Sequence, residues 1–179
     1  MSRPNPEGRR RPPPPLDTAA LERLALRYVE RFATTRAKLA EYLSRKIRER
    51  GWDGDPADPR ALAERLAGLG YIDDRAFGEA RAGAMLRRGL GRARVSGALR
   101  AAGVDGEDAA ASAAIVAAGA QDAALAFAKR RRIGPFANAI PDRPTRQKQI
   151  AAMIRGGHDM DLARKIVDMA PGQGLEAFD

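Results

Sequence analysis

Cysteine is absent from the 179-residue chain and histidine occurs once. No disulfide framework, zinc ribbon or thiol nucleophile can be built from such a sequence, and one imidazole is too few for a His-rich metal site. Aromatic residues make up only 5%, which excludes a core built on large rings. No stretch reaches the roughly 18 consecutive apolar residues that a membrane span requires. The first sixteen residues, MSRPNPEGRRRPPPPL, lack the apolar run of a signal peptide. These absences predict a soluble, cytoplasmic protein with no membrane partner, no cofactor and no small-molecule substrate.

Alanine and positive charge are plentiful. The 37 alanines combine the highest helix propensity with little side-chain surface to bury, so the 44% hydrophobic fraction predicts an all-α fold of slim, closely packed helices. Lys and Arg total 32 against 23 Asp and Glu, a net charge of +9. A balance of that size favours an anionic partner, either nucleic acid or an acidic protein surface.

Proline divides the chain, because inside a helix it costs about 3 kcal/mol. None occurs between Leu16 and Asp55 or between Arg60 and Gly134. Residues 1–16, with Arg9 to Arg11 and Pro12 to Pro15, read as a disordered basic tail. Leu21, Leu24, Ala25, Tyr28, Val29 and Phe32 follow the spacing of one helical face, with Asp17 or Thr18 as its cap. Leu39, Tyr42, Leu43 and Ile47 mark a second helix ending at Arg50-Gly51. Asp58-Pro59 opens a third, with Leu62, Leu66 and Leu69 inward.

A fourth follows Asp73-Asp74 and holds Phe77, Ala80, Ala84 and Met85. A fifth covers Arg92 to Ala102, and a sixth buries Ala109, Ser112, Ile115 and Val116. Three more are expected at Ala120 to Arg132, Pro144 to Arg155 and Asp159 to Met169.

Nine helices in threes suggest internal repetition. Arg36-Ala37-Lys38-Leu39 with Leu43 aligns with Arg92-Ala93-Arg94-Val95 with Leu99, and more loosely with Arg146-Gln147-Lys148. A unit of three short helices buries little surface alone, and stacking neighbours extends the core. The expected architecture is three tandem three-helix repeats, residues 17–70, 71–118 and 119–170, in an elongated, curved array with a frayed segment at 171–179. The alternative is one irregular helical bundle.

The segment Gly70-Tyr71-Ile72-Asp73-Asp74-Arg75-Ala76-Phe77 resembles the Gly-Tyr-Ile-Asp-Asp-x-x-Phe signature of the RecX family, bacterial regulators of the RecA recombinase. The tract from Arg88-Gly89-Leu90-Gly91-Arg92 to Val104-Asp105 resembles that family's Gly-rich turn and following basic helix. The third unit departs from the pattern: Gly156-Gly157-His158 stands where an Arg-Gly-Phe step is usual. The signature also has a structural reading. Tyr71 and Ile72 suit a hydrophobic staple between the third and fourth helices, Asp73 or Asp74 a cap, and Phe77 a core anchor.

Positive charge recurs on successive helices. Arg36, Lys38, Arg45, Lys46 and Arg48 load the second, and Arg87, Arg88, Arg92, Arg94 and Arg100 flank and occupy the fifth. Lys129, Arg130, Arg131 and Arg132 end the seventh, while Arg146, Lys148 and Arg155 lie on the eighth. Such faces can contact DNA phosphates or an acidic protein surface. Tyr28, Tyr42 and Tyr71 fall on apolar stripes or a helix junction, leaving few rings for base stacking.

Gly89-Leu90-Gly91 lacks the third glycine of a dinucleotide fingerprint, and Asp53-Gly54-Asp55 lacks the next ligands of a calcium loop. No catalytic constellation is present, so an enzyme is not expected.

The RecX resemblance implies a partner in the RecA-type recombinase filament and the single- or double-stranded DNA backbone near it. The implied activity is regulation, mainly inhibition, of the recombinase's ATPase, strand exchange and coprotease functions in DNA repair, recombination and the SOS response. A stand-alone DNA-binding helical protein is the main rival, since three-helix units also form helix-turn-helix readers. A helical adaptor for acidic proteins is the third class.

Overall fold

The computed structural model describes residues 14–174. Within them the regular structure is helical: α1 (Thr18–Arg31), α2 (Arg36–Arg50), α3 (Pro59–Gly68), α4 (Asp74–Arg87), α5 (Arg92–Arg100), α6 (Gly106–Ala118), α7 (Ala120–Arg131), α8 (Arg143–Arg155) and α9 (Met160–Val167), with one 3-10 turn at Gly134–Phe136. The all-α expectation holds. No single helix among the described residues is long and apolar enough to cross a membrane. The chain divides into two compact units, one ending at Ile72 and one beginning at Asp73.

In the first unit, α2 packs against both α1 and α3. Leu39 and Leu43 of α2 are fully buried among Leu21, Ala25, Leu62, Leu66 and Ile72. Short polar side chains start each of the three helices. The Asp17 carboxylate accepts from the Ala20 amide at 2.7 Å, the Thr35 hydroxyl from Lys38 at 3.2 Å, and the Asp58 carboxylate from Arg60 and Ala61 at 3.0 Å. These bonds satisfy amides that the first turn otherwise leaves unpaired.

The N-terminal side of the unit is tied down by backbone pairing. Leu16 forms a parallel bridge with Trp52, its amide donating to the Gly51 carbonyl at 3.0 Å and its carbonyl accepting from Asp53 at 2.8 Å. Its side chain is fully buried. The sequence assigned Leu16 to the tail, but an apolar side chain beside a paired backbone belongs to the core. Residues 1–13 of that tail lie outside the described residues.

Two hydrophobic clusters occupy the second unit. One joins Ala82 and Leu86 of α4 to Val95 and Leu99 of α5 and Val116 of α6. The other joins Phe127 and Ala128 of α7 to Met153 of α8 and Ala163, Ile166 and Val167 of α9. The inner face of α4 is built mostly from small residues, and Phe77, expected as a core anchor, is only partly inside. Asp74, Gly78, Ala82 and Leu86 are buried, Phe77 is half-buried and Ala80 is exposed. A Cβ on Gly78 would lie 2.6 Å from the Ser112 hydroxyl and 3.1 Å from a Val104 methyl, so small residues set the close approach of α4 to α6. Leu69 also departs from expectation, 66% exposed, because α3 ends at Gly68 and the chain turns there through Gly70 in the left-handed region (φ 81°).

The turn Gly89-Leu90-Gly91 docks on Gly156-Gly157-His158. The Gly91 amide donates to the Gly156 carbonyl at 2.9 Å, and the Ala93 amide to the Gly157 carbonyl at 3.0 Å. Gly91 caps α5 without a side-chain bond, and the amides of the α5 start are instead satisfied by carbonyls at the end of α8. The positive end of one helix thus meets the negative end of another. A methyl on Gly91 would overlap the Gly157 carbonyl and the His158 amide nitrogen, and one on Gly157 would sit 2.7 Å from the Arg94 amide. The triplet that departs from the family pattern is therefore an interlock, in which glycine permits backbone-to-backbone approach.

Candidate functional site

The signature residues have mainly structural surroundings. Asp73 caps α4, accepting from the Ala76 amide at 2.8 Å, while Asp74 is buried in the first turn. Ile72 joins the core of the first unit, but Tyr71 is 51% exposed and does not share that burial.

The basic residues fall into two groups. One group holds the fold. Arg36 pairs with Glu64 at 3.2 Å, linking α2 to α3, and Lys46 pairs with Glu49 at 2.7 Å with Arg45 at 3.9 Å from the same carboxylate. The Lys46 hydrogen bond holds the Glu49 carboxyl below its ordinary value. Arg92 reaches Asp159 at 3.1 Å, and Nε of Arg94 donates to the Arg155 carbonyl at 2.8 Å. Both therefore sit on the α5–α8 interlock. Arg146 grips Asp168 through two nitrogens, and this bond lowers the Asp168 pKa and raises that of Arg146. Exposed pairs of this kind are screened by solvent and add little to stability.

The other group comprises Arg48, Arg87, Arg88, Arg100, Lys129, Arg130, Arg131, Arg132, Lys148 and Arg155, all exposed. Lys38 is half-buried near the cap of α2 and has an interaction of its own. Lys129, Arg130 and Arg131 occupy the last turn of α7, where they complement the negative helix end. Arg132 follows in the left-handed region at φ 54° and ψ 52°. A non-glycine residue there costs roughly 1–2 kcal/mol, so a cationic side chain is kept at a position where glycine fits better.

Sequence reasoning missed an aromatic and cationic cluster on the first unit. Tyr28 stacks on Tyr42 with centroids 4.3 Å apart, and Phe32, 49% exposed, tilts against Tyr28 at 5.2 Å. Arg45 and Lys46 lie over the Tyr42 ring, and Arg31 over Phe32. The i, i+4 spacing of Tyr28 and Phe32 was the available signal, but it reads equally as a core stripe. Phe32 falls outside the core because α1 ends at Arg31 and residue 32 is already extended.

His158 is buried against Phe127, with ring centroids 5.2 Å apart, and its Nε2 has no partner among the described residues. Burial lowers its pKa below 6.5, and Arg130 acts in the same direction. A hydrogen bond with the Gly89 backbone and the charge of Asp159 oppose them. The folded protein thus favours neutral imidazole, while the unfolded chain takes up a proton near pH 6.5. The His158 contribution to stability is complete above that value and declines as pH falls through it toward the folded pKa. Thermal melts between about pH 7 and pH 5 should show a shallower loss of stability for His158→Gln than for the wild type. Equal slopes would refute the assignment.

Among the described residues no group of His, Asp and Glu could hold a metal ion. Fold and surface together define a helical protein whose most prominent exposed chemistry is cationic. No family model matches the chain. It is 29% identical over 160 residues to the regulatory protein RecX of Myxococcus xanthus (strain DK1622), covering 84% of this chain and 86% of that protein. It is also 29% identical over 149 residues to the regulatory protein RecX of Agrobacterium fabrum (strain C58), covering 81% and 80%. These matches, each spanning four fifths of both chains, support the assignment of the chain to the RecX family.

Proposed function

We propose that this protein is a non-enzymatic regulator of a RecA-type recombinase. It binds the recombinase filament and the DNA backbone beside it, and it restrains ATPase, strand exchange and coprotease activity in DNA repair. The observation that carries this reading is the match to two RecX regulatory proteins along four fifths of the chain. Physical chemistry supports it through the exposed cations, which suit a polyanionic partner. In this reading the helices of the described residues group along the chain as three three-helix repeats, and residues 1–13 add further charge.

Arg92 and Arg94 are poor probes of binding because they also hold the α5–α8 interlock. The test instead combines Arg87→Ala, Arg88→Ala, Lys129→Ala and Arg132→Gly, and measures recombinase ATPase on single-stranded DNA across salt. The wild type should inhibit. The variant should inhibit weakly, its binding losing about one unit of salt slope for each phosphate contact removed. Full inhibition by the folded variant would reject these residues as the contact surface, and a wild type without effect would reject the function. Tight, sequence-selective binding to naked duplex would favour a stand-alone DNA reader.

A further inference from the structure

A groove of about 780 Å³ opens in the second unit between α4, α5, α7 and α8. Met85, Leu90 and Phe127 form its apolar walls, and Ala93, Gly97, Ala98 and Ala152 keep its floor low. Arg94, Arg131 and Arg155 are among its lining residues, and no Asp or Glu is. Arg131 lies over the Phe127 ring at 5.4 Å, and Arg94 is oriented by its bond to the Arg155 carbonyl at 2.8 Å. The cations thus come from three different helices, and two of them are oriented by neighbours in the groove.

We propose that this groove is a docking site for an acidic, amphipathic peptide segment of a protein partner. Apolar side chains of the segment fill the floor, and flanking carboxylates meet the three arginines. The chemistry decides the class of occupant. A nucleic-acid backbone would satisfy the arginines but lay polar sugar and phosphate over walls that offer them little hydrogen bonding. An acidic peptide matches both the floor and the charge, as helix-in-groove recognition does. A second copy of this chain fits less well, since a net charge of +9 opposes the same sign at the rim. The proposal does not depend on the recombinase reading, because it concerns a separate property with a separate readout.

Gly97 supplies a clean probe. A Cβ there meets nothing within 4 Å, and glycine inside α5 is a weaker helix former than leucine. Gly97→Leu should therefore fill the groove and leave the fold intact, as thermal melting checks. The binding probe is a fluorescein-labelled helical peptide of about twelve residues, with Leu and Phe on one face and Glu on the other, read by anisotropy.

The full-length wild type should bind this peptide. Gly97→Leu and the double variant Arg131→Glu/Arg155→Glu should each bind at least about tenfold more weakly, and a peptide with Lys in place of Glu should not bind. No binding by the wild type would overturn the proposal, as would binding that Gly97→Leu leaves unchanged. Displacement of the peptide by a single-stranded oligonucleotide whose own binding fails in Gly97→Leu would reassign the groove to nucleic acid. Self-association that Gly97→Leu abolishes would reassign it to a second copy.

Discussion

Gly91→Ala should destabilise the second unit by about 3 kcal/mol or more, beyond the usual range for a single added methyl. In most cores an extra methyl displaces the end of a flexible side chain. Here it would meet the Gly157 carbonyl and the His158 amide nitrogen. Those atoms belong to a backbone already fixed by the bonds from Gly91 to Gly156 and from Ala93 to Gly157. Relief requires the start of α5 to withdraw from the end of α8. That movement unpairs two amides and pulls Arg92 from Asp159 and Arg94 from the Arg155 carbonyl. For a unit of about 100 residues the melting midpoint should fall by on the order of 10 °C or more. A melt within a degree or two of the wild type would show that the interlock is looser than its geometry implies.

The second large effect is expected in the first unit. Leu43 is fully buried at the centre of α2, among residues from all three helices. Truncating it to alanine removes the apolar contact and leaves a cavity, for a loss of about 2–5 kcal/mol. Native-state hydrogen exchange separates the two predictions. Leu43→Ala should release the amides of α1 to α3 with little change in α7 to α9, and Gly91→Ala should do the reverse. Release of all nine helices together by either variant would mean that the two units open as one cooperative block.

These effects fall on features that differ in how plainly the sequence shows them. The Leu43 core is local: Leu39, Leu43 and Ile47 share one face of a helix, and capping residues with a following proline mark α3. Periodicity and caps are enough to place those elements. The inner face of α4 is harder to read, because it is built from Asp74, Gly78 and Ala82 rather than from its largest side chains. Hydrophobicity ranked Phe77 and Met85 first, while steric fit against Ser112 decided the face.

The interlock was out of reach for another reason. Gly89-Leu90-Gly91 and Gly156-Gly157-His158 each read as ordinary turns, and only their contact across more than sixty residues gives the glycines a packing role. The same contact divides the basic residues. Sequence supplied the full set of cations, but not which of them, such as Arg92, Arg94 and Arg146, were already engaged within the fold.

Trp52, whose backbone pairs with Leu16 and whose indole N–H donates to the Asp55 carbonyl at 2.6 Å, is the one tryptophan in the chain. The protein thus carries a built-in optical reporter restricted to its first unit. Indole emission follows the seam between residues 16 and 52 as it opens, whereas the segment from Asp73 onward contributes only tyrosine-free, phenylalanine-weak absorbance. A fluorescence-detected melt of the unmodified chain therefore records the first unit, and circular dichroism records both. Any gap between the two curves measures how far the units melt apart.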